Sequence, residues 1–431
     1  MLKAFKLDKK MSSSTQNPYS NSNTGHSNPF DSIKVIDFTH VLAGPACSYY
    51  LALMGADVIK LESVRRGDGI RHRGGTAKDL AEGEMSTSYL TQGAGKRSIA
   101  VDLGTQEGRN IALRLIAECD VLVENHRPST LKPLGLDYDT LSQNHPRLIY
   151  CALTGYGQNG PKGNHAAYDV NIQAASGIMA MTGTPETGPL RTGAPIMDYA
   201  TGLAGAFAVS SALFAREQSK RGTFIDVSML EVAFTMMSST ITDYTATGNA
   251  PIARGNAANS RSPAAGNFQT ADGLISLGVN EEHQFAVLCH VLEKPEWLED
   301  PRFSSRQERD ANRQALLSEL ETIFVTRPAS EWEVVLGDVG VPVARVSTLP
   351  ETLESSQVIV RQPLHGFEID RFPHRTIQVP TLPFLFNGHR QAPNLPPPRR
   401  GEHSVAILKE IGCTKAEIDR LISKGIVEQL D

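Results

Sequence analysis

The chain has few cysteines, and its histidines lack the spacing of zinc motifs. The five cysteines are Cys47, Cys119, Cys151, Cys289 and Cys413, and no two of them form a CxxC pair. An odd number of scattered cysteines favours reduced thiols in a cytosolic-type compartment over a disulfide framework. The twelve histidines include no HxxxH or HExxH motif. The sequence therefore predicts no metal site, and we expect no tightly bound cofactor.

The chain also lacks an excess of positive charge and a long apolar run. Its 42 Lys and Arg against 47 Asp and Glu give a formal net charge of −5. This balance argues against a nucleic acid or an anionic membrane as a partner held by bulk electrostatics. No apolar run approaches the roughly 20 residues that span a bilayer. With 431 residues, 40% of them hydrophobic, the composition predicts a large soluble enzyme with one or two cores.

The first 30 residues differ in composition from the rest of the chain. They hold six serines, four asparagines and few apolar residues, which predicts a disordered tail. Lys3, Lys6, Lys9 and Lys10 alternate with apolar residues, as in a mitochondrial transit peptide, but the tail has no arginine and contains Asp8. We therefore expect a cytoplasmic protein, with a mitochondrial location as the alternative.

The segment IKVIDFTHVLAGPACSYYLALMGADVIKLE, residues 33–62, has the pattern of a βαβ unit. Two short apolar runs, Ile33–Asp37 and Ala56–Leu61, are typical of buried strands. Pro45 suits the first turn of the helix between them. The loop before this helix lies at a strand's carboxyl end, where open parallel sheets bind ligands. A GxGxxG fingerprint would need glycine where Ala46 and Tyr49 stand, so the loop disfavours NAD.

Strands and periodic helices alternate from Ile33 to about Asp226, which predicts an α/β fold with a Rossmann-like, mostly parallel sheet covered on both faces. A helix-rich crossover of residues 169–181, 199–216 and 228–245 belongs to this region. Further strand and helix patterns after Ser262 predict a second, smaller α/β domain. The predicted parts are a tail (1–30), the first part of the large domain (31–228), a helix and linker (229–262), the small domain (263–347), and a return linker with the end of the large domain (348–431).

The segments FTHVLAGPA and GADVIKLE resemble the opening of the class III CoA-transferases, a family that includes formyl-CoA transferase, carnitine CoA-transferase and α-methylacyl-CoA racemase. The resemblance covers about residue 33 to the C-terminus. It implies that the large domain binds acyl-CoA as substrate, that a small carboxylic acid is the other substrate, and that two chains form an interlocked homodimer. It also implies that His40, Val41, Leu42 and Ala43, in the first loop, contact CoA.

Asp198 is the strongest candidate for a catalytic residue. It precedes a helix of small and apolar residues in APIMDYATGLAGAFAVSSAL. Without a family, Asp198 is interpreted as an N-cap whose carboxylate accepts N–H bonds. The same position suits a nucleophile, because a helix N-terminus favours an ionised carboxylate. The segment resembles the nucleophile motif of the family, which implies that Asp198 attacks the donor thioester.

Tyr168 and Asp169 are the second group of candidates. An acid precedes the nucleophile by 29 residues in the family, and Asp169 has this spacing from Asp198. Racemase relatives have histidine before that acid, whereas transferase relatives have tyrosine, as here. A tyrosine with a pKa near 10 is a poor base for an α-proton. Tyr168 is therefore predicted to pack against the pantetheine or thioester, with a buried core aromatic as the alternative.

Several basic residues are candidates for the phosphates of CoA. The resemblance implies this role for Lys96, Arg97 and Arg127, and for Arg65 and Arg66 after the second strand. A solvated surface charge is the alternative for each. Weaker candidates for the acceptor's far carboxylate are Arg71, Arg73, Arg254 and Arg261. Backbone N–H groups near Gly266 or in the helix after Asp198 are candidates for stabilising an oxyanion.

The sequence also departs from formyl-CoA transferase. Leu42 stands where that enzyme has glutamine, and NSRSPAAGNF, with only Gly266, replaces its run of glycines. Oxalate and formate are therefore disfavoured as substrates, while many transferases of dicarboxylic acids share the VLAGP segment. The sequence therefore predicts an enzyme that transfers CoA from an acyl-CoA to a small acid. The two alternative functions are an acyl-CoA racemase or isomerase and a non-catalytic acyl-CoA-binding protein.

Overall fold

The computed structural model describes residues 28–258, 260–369, 372 and 375–430. The predicted tail lies almost entirely outside the described residues. The described residues group into two compact units. Of these residues, one unit comprises those up to Ile172, then Ala194–Met236 and those from Pro363 onward, and the other comprises those within Gln173–Gly193 and Met237–Gln362. The domain limits given above stay predictions.

The strands of the described chain are β1 (Lys34–Phe38), β2 (Asp57–Glu62), β3 (Lys96–Val101), β4 (Val121–Glu124), β5 (Ile149–Thr154), β6 (Phe224–Ser228), β7 (Ala265–Gln269), β8 (Leu274–Gly278), β9 (Val343–Arg345), β10 (Leu364–Glu368), β11 (Thr376–Pro380) and β12 (Val427–Glu428). The predicted strands Ile33–Asp37 and Ala56–Leu61 correspond to β1 and β2, each of which begins and ends one residue later than predicted.

The α-helices are α1 (Ala43–Leu53), α2 (Lys78–Glu82), α3 (Thr87–Gly93), α4 (Gln106–Ala117), α5 (Pro128–Leu131), α6 (Tyr138–Asn144), α7 (Asp169–Ser176), α8 (Ile178–Met181), α9 (Ile196–Ser219), α10 (Met229–Met236), α11 (Ser238–Thr247), α12 (Glu282–Val291), α13 (Arg306–Ala311), α14 (Arg313–Phe324), α15 (Ala329–Gly337), α16 (Leu349–Leu353), α17 (Ser356–Arg361), α18 (Ser404–Glu410) and α19 (Lys415–Ser423). The predicted helix 169–181 is divided at Gly177, whose φ is 95°.

The first unit is built on a seven-stranded sheet in the order β12-β3-β2-β1-β4-β5-β6. All neighbours are parallel except β12, which pairs antiparallel with β3. The order reverses between β1 and β4, so the loops that follow these two strands diverge and leave a crevice. The α/β class with a mostly parallel sheet is confirmed, and the fold predicts a ligand site after β1 and β4.

Helix α9 packs closely against α1 because its glycines present no side chain. A Cβ atom on Gly202 would lie 2.8 Å from the Cβ of Ala46, and one on Gly205 would lie 2.9 Å from the Sγ of Cys47. The small residues of the segment after Asp198 therefore have a packing reason. They bring the start of α9, with Asp198, to the start of α1.

Helix α9 also corrects the expectation that no segment could span a membrane. It has 24 residues, and its apolar window has a mean hydropathy of 1.2. By length and composition alone, these values are enough for a helix to cross a membrane. The sequence argument missed it because small residues such as alanine and glycine, not a run of leucines, supply the apolar character. In the structure this helix packs on α1 and carries a buried Arg216 near its end.

The second unit has its own three-stranded antiparallel sheet, in the order β7-β8-β9. Its core packs Trp332, Phe324, Phe285 and Phe303 against the sheet. Such a core of large aromatic side chains, each almost completely buried, is enough for a compact unit with a separate hydrophobic interior.

Candidate active site

A cavity of about 380 Å³ lies in the first unit at the reversal point of the sheet. The loop after β1 and the loop after β4 both contribute to its wall, as the strand order predicts. The lining residues are His40, Val41, Leu42, Ala43, Asn125, His126, Arg127, Thr130, Leu153, Thr154, Gly155, Gly163, His165, Ala166, Ala167, Tyr168, Asp198 and Met229. The structure thus brings together seven of the predicted site residues: His40, Val41, Leu42, Ala43, Arg127, Tyr168 and Asp198.

Asp198 is the third residue of α9, because the helix starts at Ile196 with Pro195 as its N-cap. The N-cap interpretation of Asp198 is therefore wrong. The carboxylate that accepts N–H groups at this helix end belongs to Asp169, whose Oδ2 lies 2.7 Å from the N of Met197 and 3.4 Å from the N of Asp198. Asp169 itself does not line the cavity and is 7% exposed.

The carboxyl group of Asp198 is buried, with 8% of the residue exposed. Burial, and secondly the negative charge of Asp169, raise the pKa of Asp198 to about 7. Burial and the charge of Asp169 thus act in the opposite direction to the helix N-terminus, which favours the ionised form. A carboxyl group that titrates near neutral pH inside a cavity is typical of a catalytic group.

Tyr168 lies at the wall of this cavity with 56% of its surface exposed. The alternative of a buried core aromatic is therefore wrong. Its backbone N–H donates to the side chain of Asn171 at 3.0 Å, which fixes the chain just before α7. Its ring is accessible to a ligand in the cavity.

The cavity also contains histidines that the sequence analysis did not single out. His126 packs its ring 5.1 Å from that of His40 and 4.5 Å from that of Phe38. Burial, and secondly the neighbouring His40, lower the pKa of His126 to about 4, so its ring is neutral at pH 7. His165 is the third histidine of the lining. The one sequence signal for His126 is its position, because Asn125 and His126 directly follow β4 at its carboxyl end.

Asn125 was also missed, and it fixes the first loop. Its side-chain oxygen accepts the N–H of His40 at 2.8 Å, and its side-chain amide donates to the carbonyl of His40 at 2.7 Å. Because β1 and β4 are adjacent, a residue just after β4 can hold the backbone just after β1. Sequence separation of 85 residues hides this pairing.

The structure places only one of the three basic residues Lys96, Arg97 and Arg127 at the cavity. Arg127 is exposed and lines the cavity. Lys96 is fully buried, and its ammonium bonds Asp37 at 2.7 Å, so it is a core residue and cannot reach a phosphate. Arg97 bonds Asp57 at 2.6 Å and Glu410 at 2.7 Å. The pair predicted to bind CoA is thus committed to ion pairs within the protein.

The other candidates lie away from the cavity lining. Arg65 and Arg66 are exposed after β2, as the sequence predicts, but neither lines the cavity. Arg71 is buried against Glu62 at 2.6 Å, which excludes it as a ligand for a substrate carboxylate. Gly266 lies in β7 of the second unit. Within the described chain, no group of three or more His, Cys, Asp or Glu side chains could hold a metal ion.

The sheet and the cavity define an α/β enzyme with a carboxylate at its ligand crevice. The description of CoA-transferase family III matches residues 30–404, so the chain belongs to this family and is a CoA-transferase. It is 32% identical over 405 residues to the succinyl-CoA:glutarate CoA-transferase of Mus musculus, covering 93% of this chain and 91% of that protein. It is 34% identical over 391 residues to the acetyl-CoA:oxalate CoA-transferase of Acetobacter aceti, covering 90% of this chain and 97% of that protein.

The fold is also similar to solved structures. A CaiB/BaiF family protein from Brucella suis superposes with a TM-score of 0.78 at 32% identity, over 90% of this chain and 100% of that one. Rv3272 from Mycobacterium tuberculosis superposes with a TM-score of 0.77 at 29% identity, over 88% of this chain and 99% of that one. The predicted resemblance to the class III CoA-transferases is confirmed.

Proposed function

We propose that this CoA-transferase carries CoA from an acyl-CoA thioester to a small dicarboxylic acid, with Asp198 as the covalent nucleophile. The observation that carries the proposal is that Asp198 supplies the only carboxylate among the described residues that line the cavity. The names of the relatives support a dicarboxylic acceptor, because they include enzymes named for glutarate and for oxalate. The sequence argument against oxalate stays a prediction.

The first half of the reaction replaces the donor acid with Asp198. The Asp198 carboxylate attacks the thioester carbonyl, the C–S bond breaks, and a mixed anhydride and CoA thiolate form. The thiolate then attacks the aspartyl carbonyl of the anhydride. This step releases the donor acid as its carboxylate and leaves an aspartyl-CoA thioester on the enzyme.

The second half runs the same chemistry with the acceptor. The acceptor carboxylate attacks the aspartyl-CoA carbonyl, which again gives an anhydride and CoA thiolate. The thiolate attacks the acceptor's acyl carbon, so that the new acyl-CoA leaves and the Asp198 carboxylate is restored. Each bond that breaks is replaced by one of the same kind, so the cycle needs no external source of energy.

The raised pKa of Asp198 suits this role. A carboxylate that burial has stripped of water is a stronger base, and hence a better nucleophile, than a solvated one. At a pKa of about 7, roughly half of the groups are ionised at neutral pH. The protein therefore gains nucleophilic strength while it keeps a working population of the ionised form.

The start of α1 supports a second part of the proposal, the stabilisation of the oxyanion. The first N–H groups of a helix have no partner within the helix. Leu42 and Ala43, at the start of α1, line the same cavity as Asp198. We place the developing negative charge of the thioester oxygen at these N–H groups. The donors predicted from the sequence, near Gly266 or after Asp198, stay predictions.

We also propose that two copies of the chain form the homodimer that the family resemblance implies. Helix α9 exposes Leu203, Phe207 and Phe214 at 44%, 75% and 75%. Their spacing of four and seven residues places them on one face of the helix. An apolar face of this kind on a soluble enzyme favours a protein interface. Light scattering should give twice the chain mass of 46.7 kDa.

The proposed mechanism is tested by trapping the intermediate. Incubation of the enzyme with a donor acyl-CoA and hydroxylamine should convert Asp198 to a hydroxamate, which mass spectrometry detects on its peptide. Asp198→Asn is the matched variant, since a neutral amide cannot form the anhydride, and its transfer rate should fall by several orders of magnitude. A variant that transfers CoA at a near-normal rate, free of native enzyme, would exclude Asp198 as the nucleophile.

The substrates are tested by a panel. Succinyl-CoA and acetyl-CoA serve as donors, and mono- and dicarboxylic acids of increasing length serve as acceptors. A dicarboxylic acid should give the highest kcat/KM, with the monocarboxylic acid of equal length as its matched control. Equal values for the two acids would contradict recognition of a second carboxylate.

A further inference from the structure

Two buried side chains hold the loop after β1 on either side of His40. The ammonium of Lys60 donates to the carbonyl oxygen of Thr39 at 2.9 Å. The carboxylate of Asp68 accepts the N–H of Val41 at 3.1 Å. The same two side chains form an ion pair with each other at 3.1 Å. A loop that has no regular secondary structure thus has its backbone fixed at two neighbouring peptide groups.

The conformation that they fix is unusual. Val41 has a φ of 69°, in the left-handed region that L-residues rarely adopt and that is least favourable for a β-branched side chain. Such a backbone persists only where its surroundings hold it. Three hydrogen bonds hold this backbone. One runs from the Val41 N–H to Asp68, and two join the side chain of Asn125 to the backbone of His40.

The ion pair is deeply buried, which argues for a role in conformation. Lys60 is 1% exposed and Asp68 is 4% exposed. Lys60 also lies 4.0 Å from Asp37, which is bonded to Lys96. Buried ion pairs contribute little net stability compared with apolar side chains of similar size, and the best-attested use of buried polar groups is to specify one arrangement of the chain.

The loop leads directly into the start of α1. Val41 precedes Leu42, and the helix begins at Ala43. The direction of the first N–H groups of α1 is therefore set by the backbone at Val41. Because Leu42 and Ala43 line the cavity with Asp198, a change in the backbone at Val41 alters the wall of this cavity.

We propose that Lys60 and Asp68 are positioning residues for CoA transfer, which hold Val41 in its left-handed conformation and so aim the first N–H groups of α1 at the thioester carbonyl. The proposal rests on the proposed role of Asp198 and of the cavity. Neither side chain lines the cavity. Their effect on the reaction passes through the backbone of Thr39 and Val41.

A double-mutant cycle with Val41 tests the proposal. Asp68→Ala removes the acceptor for the Val41 N–H, and Lys60→Met removes the donor to Thr39 at nearly constant length. Each should lower kcat at least tenfold. Glycine adopts a positive φ without strain, so Asp68→Ala introduced into a Val41→Gly background should lower kcat less than threefold relative to Val41→Gly alone.

Arg216→Met is the matched control for lost stability. Arg216 is 3% exposed and pairs with the partly exposed Asp120 at 2.8 Å, so its removal also breaks an ion pair that involves a buried charged side chain. It lies near the far end of α9 from Asp198, and its removal should lower the melting temperature while kcat changes less than twofold. All rates are measured below the melting temperature of each variant and expressed per folded protein, and Lys60→Met serves if Asp68→Ala does not fold.

Three results would overturn the proposal. These are an unchanged kcat in both Asp68→Ala and Lys60→Met, an equal loss from Asp68→Ala with Val41 and with Gly at position 41, and an equal loss of kcat in Arg216→Met. Failure of the proposed nucleophile is separate, since it is decided by Asp198→Asn and the hydroxamate. A cycle that shows coupling while Asp198→Asn stays active would keep the positioning role and move the nucleophile.

Discussion

The Oδ2 atom of Asp169 accepts the backbone N–H of Met197 at 2.7 Å, so an acid at the start of α7 caps the start of α9. The capping carboxylate is thus 28 residues distant in sequence. Because Asp169 caps the helix, the side chain of Asp198, the residue after Met197, is not needed as the cap. The same negative charge is the second cause, after burial, of the raised pKa of Asp198.

The kcat/KM of the native enzyme should rise with pH up to about 7. The nucleophile is the ionised carboxylate, and burial and Asp169 raise the pKa of Asp198 to about 7. Below this value kcat/KM should fall about tenfold for each pH unit, and above it kcat/KM should be level. The measurement is kcat/KM between pH 5 and 9, with a donor acyl-CoA whose acyl group does not titrate in this range. A level profile from pH 5 to 9 would contradict the assignment.

Asp169→Asn should move this profile to lower pH. Asparagine keeps an oxygen that can accept the N–H of Met197, but it removes the negative charge near Asp198. The pKa of Asp198 should therefore fall and still exceed that of an exposed aspartate, because burial, the larger cause, is unchanged. The measurement is the midpoint of the acidic limb of kcat/KM. An unchanged midpoint would show that the two carboxylates do not interact.

Asp198→Asn should stabilise the protein, increasingly at higher pH. The carboxyl group has a pKa of 3.8 when unperturbed and about 7 when folded. Between these values the folded state binds one more proton than the unfolded state, so the free energy of unfolding of the native enzyme falls as pH rises. Above pH 7 the native enzyme has lost stability on the order of 4 kcal/mol relative to low pH, and asparagine avoids this loss.

Denaturant unfolding at pH 5 and pH 8 makes this measurement. The difference in the free energy of unfolding between Asp198→Asn and the native enzyme should be larger at pH 8 than at pH 5. Asn at this position carries no charge at either pH, so the variant is its own control. A variant that is equally stable relative to native at both values would show that Asp198 is not a carboxyl group with a raised pKa.

Much of the fold could be predicted because its signals are local. The runs Ile33–Asp37 and Ala56–Leu61 are short and apolar, and the strands β1 and β2 end one residue after their predicted ends. The loop His40–Ala43 was found because it follows a buried strand. Asp198 was found from a family motif, and its lining of the cavity agrees with that prediction.

The partners of charged residues could not be predicted, because they are distant in sequence. Lys96 follows a loop and looks like a surface cation, yet it bonds Asp37, 59 residues earlier. The cap of α9 comes from Asp169, not from the aspartate nearest the helix. Asn125 holds His40 across two adjacent strands. A one-dimensional pattern shows which residues are buried together only when they are close in the chain.

Arg127 and Arg97 should differ in their effect on substrate binding. Arg127 lines the cavity, whereas Arg97 bonds Asp57 and Glu410. Arg127→Ala should raise KM for the acyl-CoA or for the acid about tenfold, the loss of one charge-assisted hydrogen bond. Arg97→Ala is the matched control and should leave both KM values within twofold. Equal effects would mean that the cavity does not mark the binding surface.

The enzyme should not exchange α-protons, although its cavity holds three histidines. Tyr168 stands where racemase relatives have histidine, and its phenol is a poor base at neutral pH. A chiral 2-methylacyl-CoA in heavy water should therefore keep its configuration and its α-proton during many turnovers. The test is informative because the cavity contains a potential base. Burial and His40 lower the pKa of His126 to about 4, so its ring is neutral at pH 7 and able to accept a proton. Tyr168→Phe should lower transfer moderately, since the ring remains, and deuterium uptake at a rate near that of transfer would assign the enzyme to the isomerases.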